Sequence, residues 1–217
     1  MTARTLDHVA FWVTERDAIA ELAVARLGMH VIDRQENFTL VGSDARHGKL
    51  TLFDAEDGGP RERGAFKHVS LRVSERTGPD RIELPDGIEV CIVEAPTDVE
   101  WDLDHVALYT RDPEATADAY LEYGFHRAEA RDGVPRVEVG GAYVEFHAGD
   151  PGEPERPLLN HVAVLVDSAE DHRLEAEAAG IEVERFVDAA NTLAVFLRGP
   201  DRVRIEYVEH KPTFSLT

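Results

Sequence analysis

Four stretches of the chain share one pattern of apolar and polar positions. They read Leu6-Asp7-His8-Val9-Ala10-Phe11-Trp12-Val13, Phe66-Lys67-His68-Val69-Ser70-Leu71-Arg72-Val73, Leu103-Asp104-His105-Val106-Ala107-Leu108-Tyr109-Thr110 and Leu159-Asn160-His161-Val162-Ala163-Val164-Leu165-Val166. Each is apolar and β-branched enough to be a buried strand, and each places a histidine third. After the first, third and fourth a helical pattern follows. Asp112 is the expected N-cap of one helix, with Pro113 at its first position and Gly124 as its stop. Ser168 and Asp171 open another that ends at Gly180, and Thr14 with Asp17 repeats the capping pattern before Gly28. Three further strands complete the unit, at 125–130, 136–139 and 142–147 in the third copy and at 181–187, 192–197 and 203–208 in the fourth. The spacing predicts an α+β fold of four β-α-β-β-β modules. The second copy is abbreviated. Between Arg72 and Leu84 there is no helical pattern, and only its first strand and a last one at 87–93 remain.

Turn-forming segments mark the joints: Asp57-Gly58-Gly59-Pro60, Ala95-Pro96-Thr97-Asp98 and Gly149-Asp150-Pro151-Gly152. The expected organisation is two domains, each pairing consecutive modules into an open barrel-like sheet. Residues 1–97 are expected to be mainly scaffold and 98–217 to carry the chemistry.

Composition narrows the functions. The 217 residues are 43% hydrophobic, enough for a sizeable core, and the formal charge is −20, from 23 basic and 43 acidic side chains. Such a surface repels phosphate backbones and anionic membranes, so neither nucleic acid nor membrane is an expected partner. A small-molecule substrate is. The single cysteine, Cys91, excludes a disulfide scaffold. No apolar run is long enough to span a bilayer, and the opening residues carry no signal-peptide core, so a cytoplasmic protein is expected. A monomer or a homodimer would both be complete.

The candidate chemistry follows from strand faces. Alternate residues of a strand face opposite sides. In the third module Leu103, His105, Ala107 and Tyr109 share a face, and in the fourth His161 and Ala163 do. In the last strand Glu206 lies opposite the face of Val203, Ile205 and Tyr207. On a concave sheet the histidines and Glu206 would converge. Two imidazoles and one carboxylate form a three-point site that suits Fe(II) or Mn(II) and leaves positions open, while a fourth oxygen ligand would suit Ni(II), Co(II) or Zn(II). Glu145 closes its module as Glu206 closes the next, sharing a face with Tyr143 and His147, which are candidates to line the cup. The N-terminal half offers a possible second metal set, His8, His68 and Glu89, with Glu89 read as the match of Glu206 and Leu52 as the match of Glu145. His30, His126, His172 and His210 are expected at the surface, and Trp12 and Trp101 in packing.

The four Leu/Phe-x-His-Val openings and the closing stretch Leu197-Arg198-Gly199-Pro200-Asp201-Arg202-Val203-Arg204-Ile205-Glu206-Tyr207 resemble the vicinal oxygen chelate superfamily. Glyoxalase I, extradiol dioxygenases and bleomycin resistance proteins belong to it. The resemblance implies paired modules around one divalent first-row metal, with His105, His161 and Glu206 as ligands. Three functions come with it. Four modules in one chain suggest an extradiol-type dioxygenase, although Gly140-Gly141-Ala142 stands where that group carries an acid/base histidine. Glu145 as base or fourth ligand suggests a glyoxalase- or epimerase-like isomerase or lyase. An acidic chain of this fold could also sequester a cationic drug without catalysis.

Overall fold

The computed structural model describes residues 3–216. The first module comprises β1 (Ala3–Val13), α1 (Arg16–Leu27), β2 (His30–Arg34), β3 (Phe38–Gly42) and β4 (Lys49–Asp54). The second has β5 (Phe66–Val73), β6 (Arg81–Leu84) and β7 (Ile88–Glu94), without a helix. The third is β8 (Asp102–Thr110), α2 (Pro113–Ala119), β9 (His126–Arg131), β10 (Val134–Val139) and β11 (Ala142–Ala148). The fourth is β12 (Leu159–Val166), α3 (Ala169–Ala179), β13 (Val183–Asp188), β14 (Thr192–Arg198) and β15 (Arg204–His210). The expected β-α-β-β-β order therefore holds in three modules. Strand β6 is an addition in the abbreviated one.

Two helices start and stop where the sequence says. Asp112 accepts from the Ala115 amide, Ser168 from the Asp171 amide, and Gly124 and Gly180 end their segments in left-handed conformation. Helix α1 departs from expectation. Its N-cap is Glu15, which makes no side-chain cap. Thr14 instead donates its amide and hydroxyl to Asp86, in the turn between β6 and β7. A carboxylate of the helix-less module thus serves the first turn of the first module's helix. The same helix contacts both β3 and β6, burying Ile19, Ala20, Ala23 and Leu27.

The strands form two mixed sheets. One has eight strands in the order β13-β14-β15-β12-β1-β4-β3-β2, the other seven in the order β6-β7-β5-β8-β11-β10-β9. This corrects the expected division at 97/98. The first module pairs with the fourth, and the second with the third, so each sheet draws on both halves. In each sheet the two histidine strands run antiparallel at the centre, β1 with β12 and β5 with β8, and each is flanked by its own module's last strand in parallel. The connections explain the partition. Segments 55–65 and 149–158 cross between the sheets side by side, with Glu62 donating to the Arg156 carbonyl at 2.8 Å and Leu158 donating to the Glu62 carbonyl at 2.7 Å.

Val9, Phe11 and Val13 of β1 and Val106 and Leu108 of β8 lie in one continuous core. Phe11 and Phe66 meet edge to face across it, centroids 5.1 Å apart. The β10–β11 turn docks on the start of β1 so closely that a Cβ at Gly140 would lie 1.7 Å from the Arg4 carbonyl oxygen. Among the described residues no helix is long and apolar enough to cross a membrane.

Candidate metal centre

The registers define equivalent positions. Ala10 faces Thr51, Ala107 faces Glu145, Ala163 faces Glu206, and Ser70 faces Cys91. Each of these alanines, and Ser70, lies two residues after its module's histidine. The last-strand positions are therefore Thr51, Cys91, Glu145 and Glu206. Two sequence readings need correction. Thr51, not Leu52, matches Glu145, and Cys91, not Glu89, matches Glu206. The signal was present: Pro85-Asp86 and Pro200-Asp201 open equivalent turns, each aspartate with positive φ, and counting six residues from either proline reaches Cys91 or Glu206.

The eight-stranded sheet brings His8, His161 and Glu206 together. The two Nε2 atoms are 2.9 Å apart, and Glu206 Oε2 lies 2.9 Å from His161 Nε2 and 3.1 Å from His8 Nε2. His161 and Glu206 are thus united as expected, but their partner is His8. His105 belongs to the other sheet, because β8 pairs with β5 and not with β12.

Residues immediately before the histidines set their tautomers. His8 Nδ1 lies 2.8 Å from Asp7 Oδ1, and His161 Nδ1 lies 3.0 Å from Asn160 Oδ1. Arg204 also donates to Asn160 Oδ1, which fixes that atom as the acceptor. Each Nδ1 therefore carries a proton, and each Nε2 faces inward, where the neutral ring offers a lone pair. Asp7 is itself held by Lys49 at 2.8 Å and His210 at 3.0 Å. Lys49, Asn160 and His210 were not singled out from sequence. His210 was expected at the surface, yet it stacks on Phe214 and joins this network. His172 likewise is buried, stacked on Tyr207. His30 and His126 are exposed as expected.

Two imidazole lone pairs and a carboxylate oxygen at such separations repel unless a cation lies among them. Glu206 Oε2 is buried and makes no well-aligned hydrogen bond. Burial alone would lower the His8 pKa, but the Glu206 and Asp7 carboxylates outweigh it and raise it from 6.5 to about 9. Burial would raise Glu206, yet His161 and His8 hold it well below its usual range. Burial lowers His161, against the pull of Glu206. A proton on His8 can balance the cluster, and so can a divalent ion. Three donors about 2.1 Å from one ion and at right angles stand about 3.0 Å apart, whereas tetrahedral donors stand about 3.4 Å apart. The observed 2.9–3.1 Å fits three adjacent octahedral positions.

A cavity of about 700 Å³ opens beside His161, lined in part by Trp12, Asn37, Phe53, Phe196 and Arg204. Phe196 meets the His161 ring edge-on at 5.2 Å, and Trp12 packs on Phe53 at 5.5 Å. Trp12, expected only in packing, thus forms part of an aromatic wall.

The seven-stranded sheet places the remaining candidates differently. His68 Nε2 lies 3.1 Å from His105 Nε2, which also receives Ser70 Oγ at 3.0 Å. Asp104 Oδ2 accepts a hydrogen bond from His105 Nδ1 at 2.7 Å. Glu145 Oε2 stands farther off, 3.4 Å from His105 Nε2 and 3.6 Å from His147 Nε2. Lys67 replaces the acceptor that precedes the other histidines, and it turns to His147 Nδ1 at 2.9 Å. Tyr143 lies under the Arg136 guanidinium at 4.0 Å. Glu145, Tyr143 and His147 therefore do not line the His8–His161–Glu206 cluster. The expected set His8, His68 and Glu89 is split between the sheets.

Residues 102–207 match the profile of the Glyoxalase/Bleomycin resistance protein/Dioxygenase superfamily. No curated protein matches the chain by sequence. Among solved structures, a "putative dioxygenase" from Bacillus subtilis superposes with a TM-score of 0.75 at 16% identity, covering 98% of this chain and 87% of that one. Glyoxalase I from Zea mays superposes with a TM-score of 0.70 at 14% identity, covering 94% and 92%. At those identities the likeness establishes the fold alone, two sheets of paired modules over nearly the whole length. Residues 102–207, just under half of the chain, thus match the Glyoxalase/Bleomycin resistance protein/Dioxygenase superfamily, and nearly the whole chain shares the paired-module fold of these structures.

Proposed function

We propose that the protein is an enzyme dependent on a divalent metal, of the ring-cleaving dioxygenase type, acting on a small substrate that offers two neighbouring oxygens. The observation that carries the reading is the triad of His8, His161 and Glu206 with Thr51 at the fourth last-strand position. Two histidines and one carboxylate on adjacent octahedral positions suit Fe(II) or Mn(II) and leave the opposite positions for ligands. The ion would supply Lewis acidity and a place to bring a dioxygen and a catecholate together. The protein supplies the rest. Asp7 and Asn160 hold the imidazoles with Nε2 inward. Trp12, Phe53 and Phe196 offer an apolar wall for a planar ring and keep water from that side. The glyoxalase-like alternative rested on Glu145 as base or fourth ligand, and Glu145 lies in the other sheet.

The test is anaerobic loading with Fe(II), followed by catechols and oxygen. The reading expects one dioxygen consumed per catechol and a yellow ring-fission product, both strongly reduced by Glu206→Ala. Catechol binding without oxygen uptake would discard the dioxygenase chemistry.

A further inference from the structure

We infer that the abbreviated second module holds a separate divalent cation of borderline-soft character, Zn(II) or a similar ion, between His68 Nδ1, Glu89 and Cys91. The argument is independent of the dioxygenase reading and of the His8 cluster, which lies in the other sheet.

The three side chains share one face because of the register. Ser70 of β5 pairs with Cys91 of β7, so His68, two residues before Ser70, lies beside Glu89, two residues before Cys91. His68 Nδ1 stands 3.8 Å from Glu89 Oε1, and Cys91 Sγ stands 4.0 Å from the same oxygen. The three donor atoms all lie within 4.8 Å of one another. Donors arranged tetrahedrally around Zn(II) stand about 3.4–3.7 Å apart, so the two separations to Glu89 Oε1 exceed that spacing by only a few tenths of an ångström, and a fourth position is left for water.

The tautomer of His68 supplies the second observation. Asp104 holds the Nδ1 proton of His105, so His105 Nε2 is an acceptor. His68 Nε2, 3.1 Å away, is placed to donate to it alongside the Ser70 hydroxyl at 3.0 Å. A neutral His68 therefore has a bare lone pair on Nδ1. That atom is buried without any hydrogen bond, in a residue only 8% exposed, and it faces a carboxylate. A buried acceptor aimed at an anion is unfavourable, and a cation between them removes the conflict. At His8, His105 and His161 a side chain one residue earlier accepts from Nδ1. At His68 that place holds Lys67, which is turned away to His147.

The other Glu89 oxygen, Oε2, is 3.3 Å from Arg81, leaving Oε1 for the ion. Nitrogen, sulfur and oxygen donors together favour Zn(II) over the hard ions suited to the other sheet. Binding would release the Cys91 thiol proton to solvent, since the thiolate is the ligand. The ion would clip β5 to β7 in the one module that has no helix of its own.

Cobalt(II) titration of metal-free full-length protein tests this, because only a thiolate ligand gives an intense sulfur-to-cobalt charge-transfer band in the near ultraviolet. The wild type should develop that band by saturation, with the intensity of one thiolate-bound ion per chain, and His8→Ala should keep it. Cys91→Ser should lose it while retaining its circular dichroism, and Glu89→Gln should weaken the band-forming affinity about tenfold or more. A wild type that reaches saturation without the band, or a band that survives Cys91→Ser, would overturn the inference. Loss of the catechol chemistry with the band intact would count against the dioxygenase reading only.

Discussion

His8 Nε2 and His161 Nε2 lie 2.9 Å apart although they belong to the first and last modules of the chain. The pair exists because β1 and β12 are antiparallel neighbours, with Ala10 opposite His161 and His8 opposite Ala163. The candidate metal centre is therefore built jointly by the first and fourth modules, and neither half contains it.

Asp7 orients His8 and also neutralises Lys49 inside the protein. Asp7→Asn should weaken Mn(II) binding by about 10–100-fold while leaving the triad intact, the range expected when an oriented histidine loses its carboxylate partner. Calorimetric titration of Mn(II) into the variant measures this. An unchanged Kd would show that Asp7 does not position the ligand.

Metal loading should displace a proton. Glu206 and Asp7 raise His8 to about 9 against its burial, so the ring is expected to carry a second proton at pH 7 in the metal-free protein. Its folded value lies above its unfolded one, so its contribution to stability is complete below about pH 6.5 and is lost as pH rises through about 9. Metal affinity should accordingly rise with pH up to about 9. Titration at pH 7.5 in buffers of different ionisation enthalpy should reveal about one proton released per Mn(II) bound. A proton count near zero would mean that the metal does not replace the His8 proton.

Asp86 serves as a remote cap for α1 through Thr14. Asp86→Ala should destabilise the fold by about 1 kcal/mol, the usual cost of a lost N-cap, with no change in metal affinity. Denaturant unfolding monitored by circular dichroism checks it. A variant as stable as the wild type would leave α1 supported by its buried face alone.

Much of this was legible in the sequence. The histidine strands, two of the three helix caps and most strand positions follow from local patterning, and so does the face carrying Glu206. The pairing of modules does not. The four openings are so alike that any two could lie side by side, and the choice is made by the crossing segments around Glu62 and Arg156. Nothing in those openings distinguishes His105 from His8 as the partner of His161. The assignment of Glu89 failed differently. It aligned glutamate with glutamate, whereas the Pro-Asp turns at Pro85 and Pro200 set the register and bring Cys91 to the Glu206 position. His210 was missed because its role depends on Asp7, more than two hundred residues earlier in the sequence.

The most direct test compares Mn(II) binding by His8→Ala and His105→Ala, followed by the electron paramagnetic resonance signal of free Mn(II). Mn(II) is a hard ion and reports on the imidazole–carboxylate site rather than on a thiolate one. The account predicts that His8→Ala loses binding by about 100-fold or more, and that His105→Ala binds as the wild type does. Retained binding in His8→Ala together with its loss in His105→Ala would contradict it.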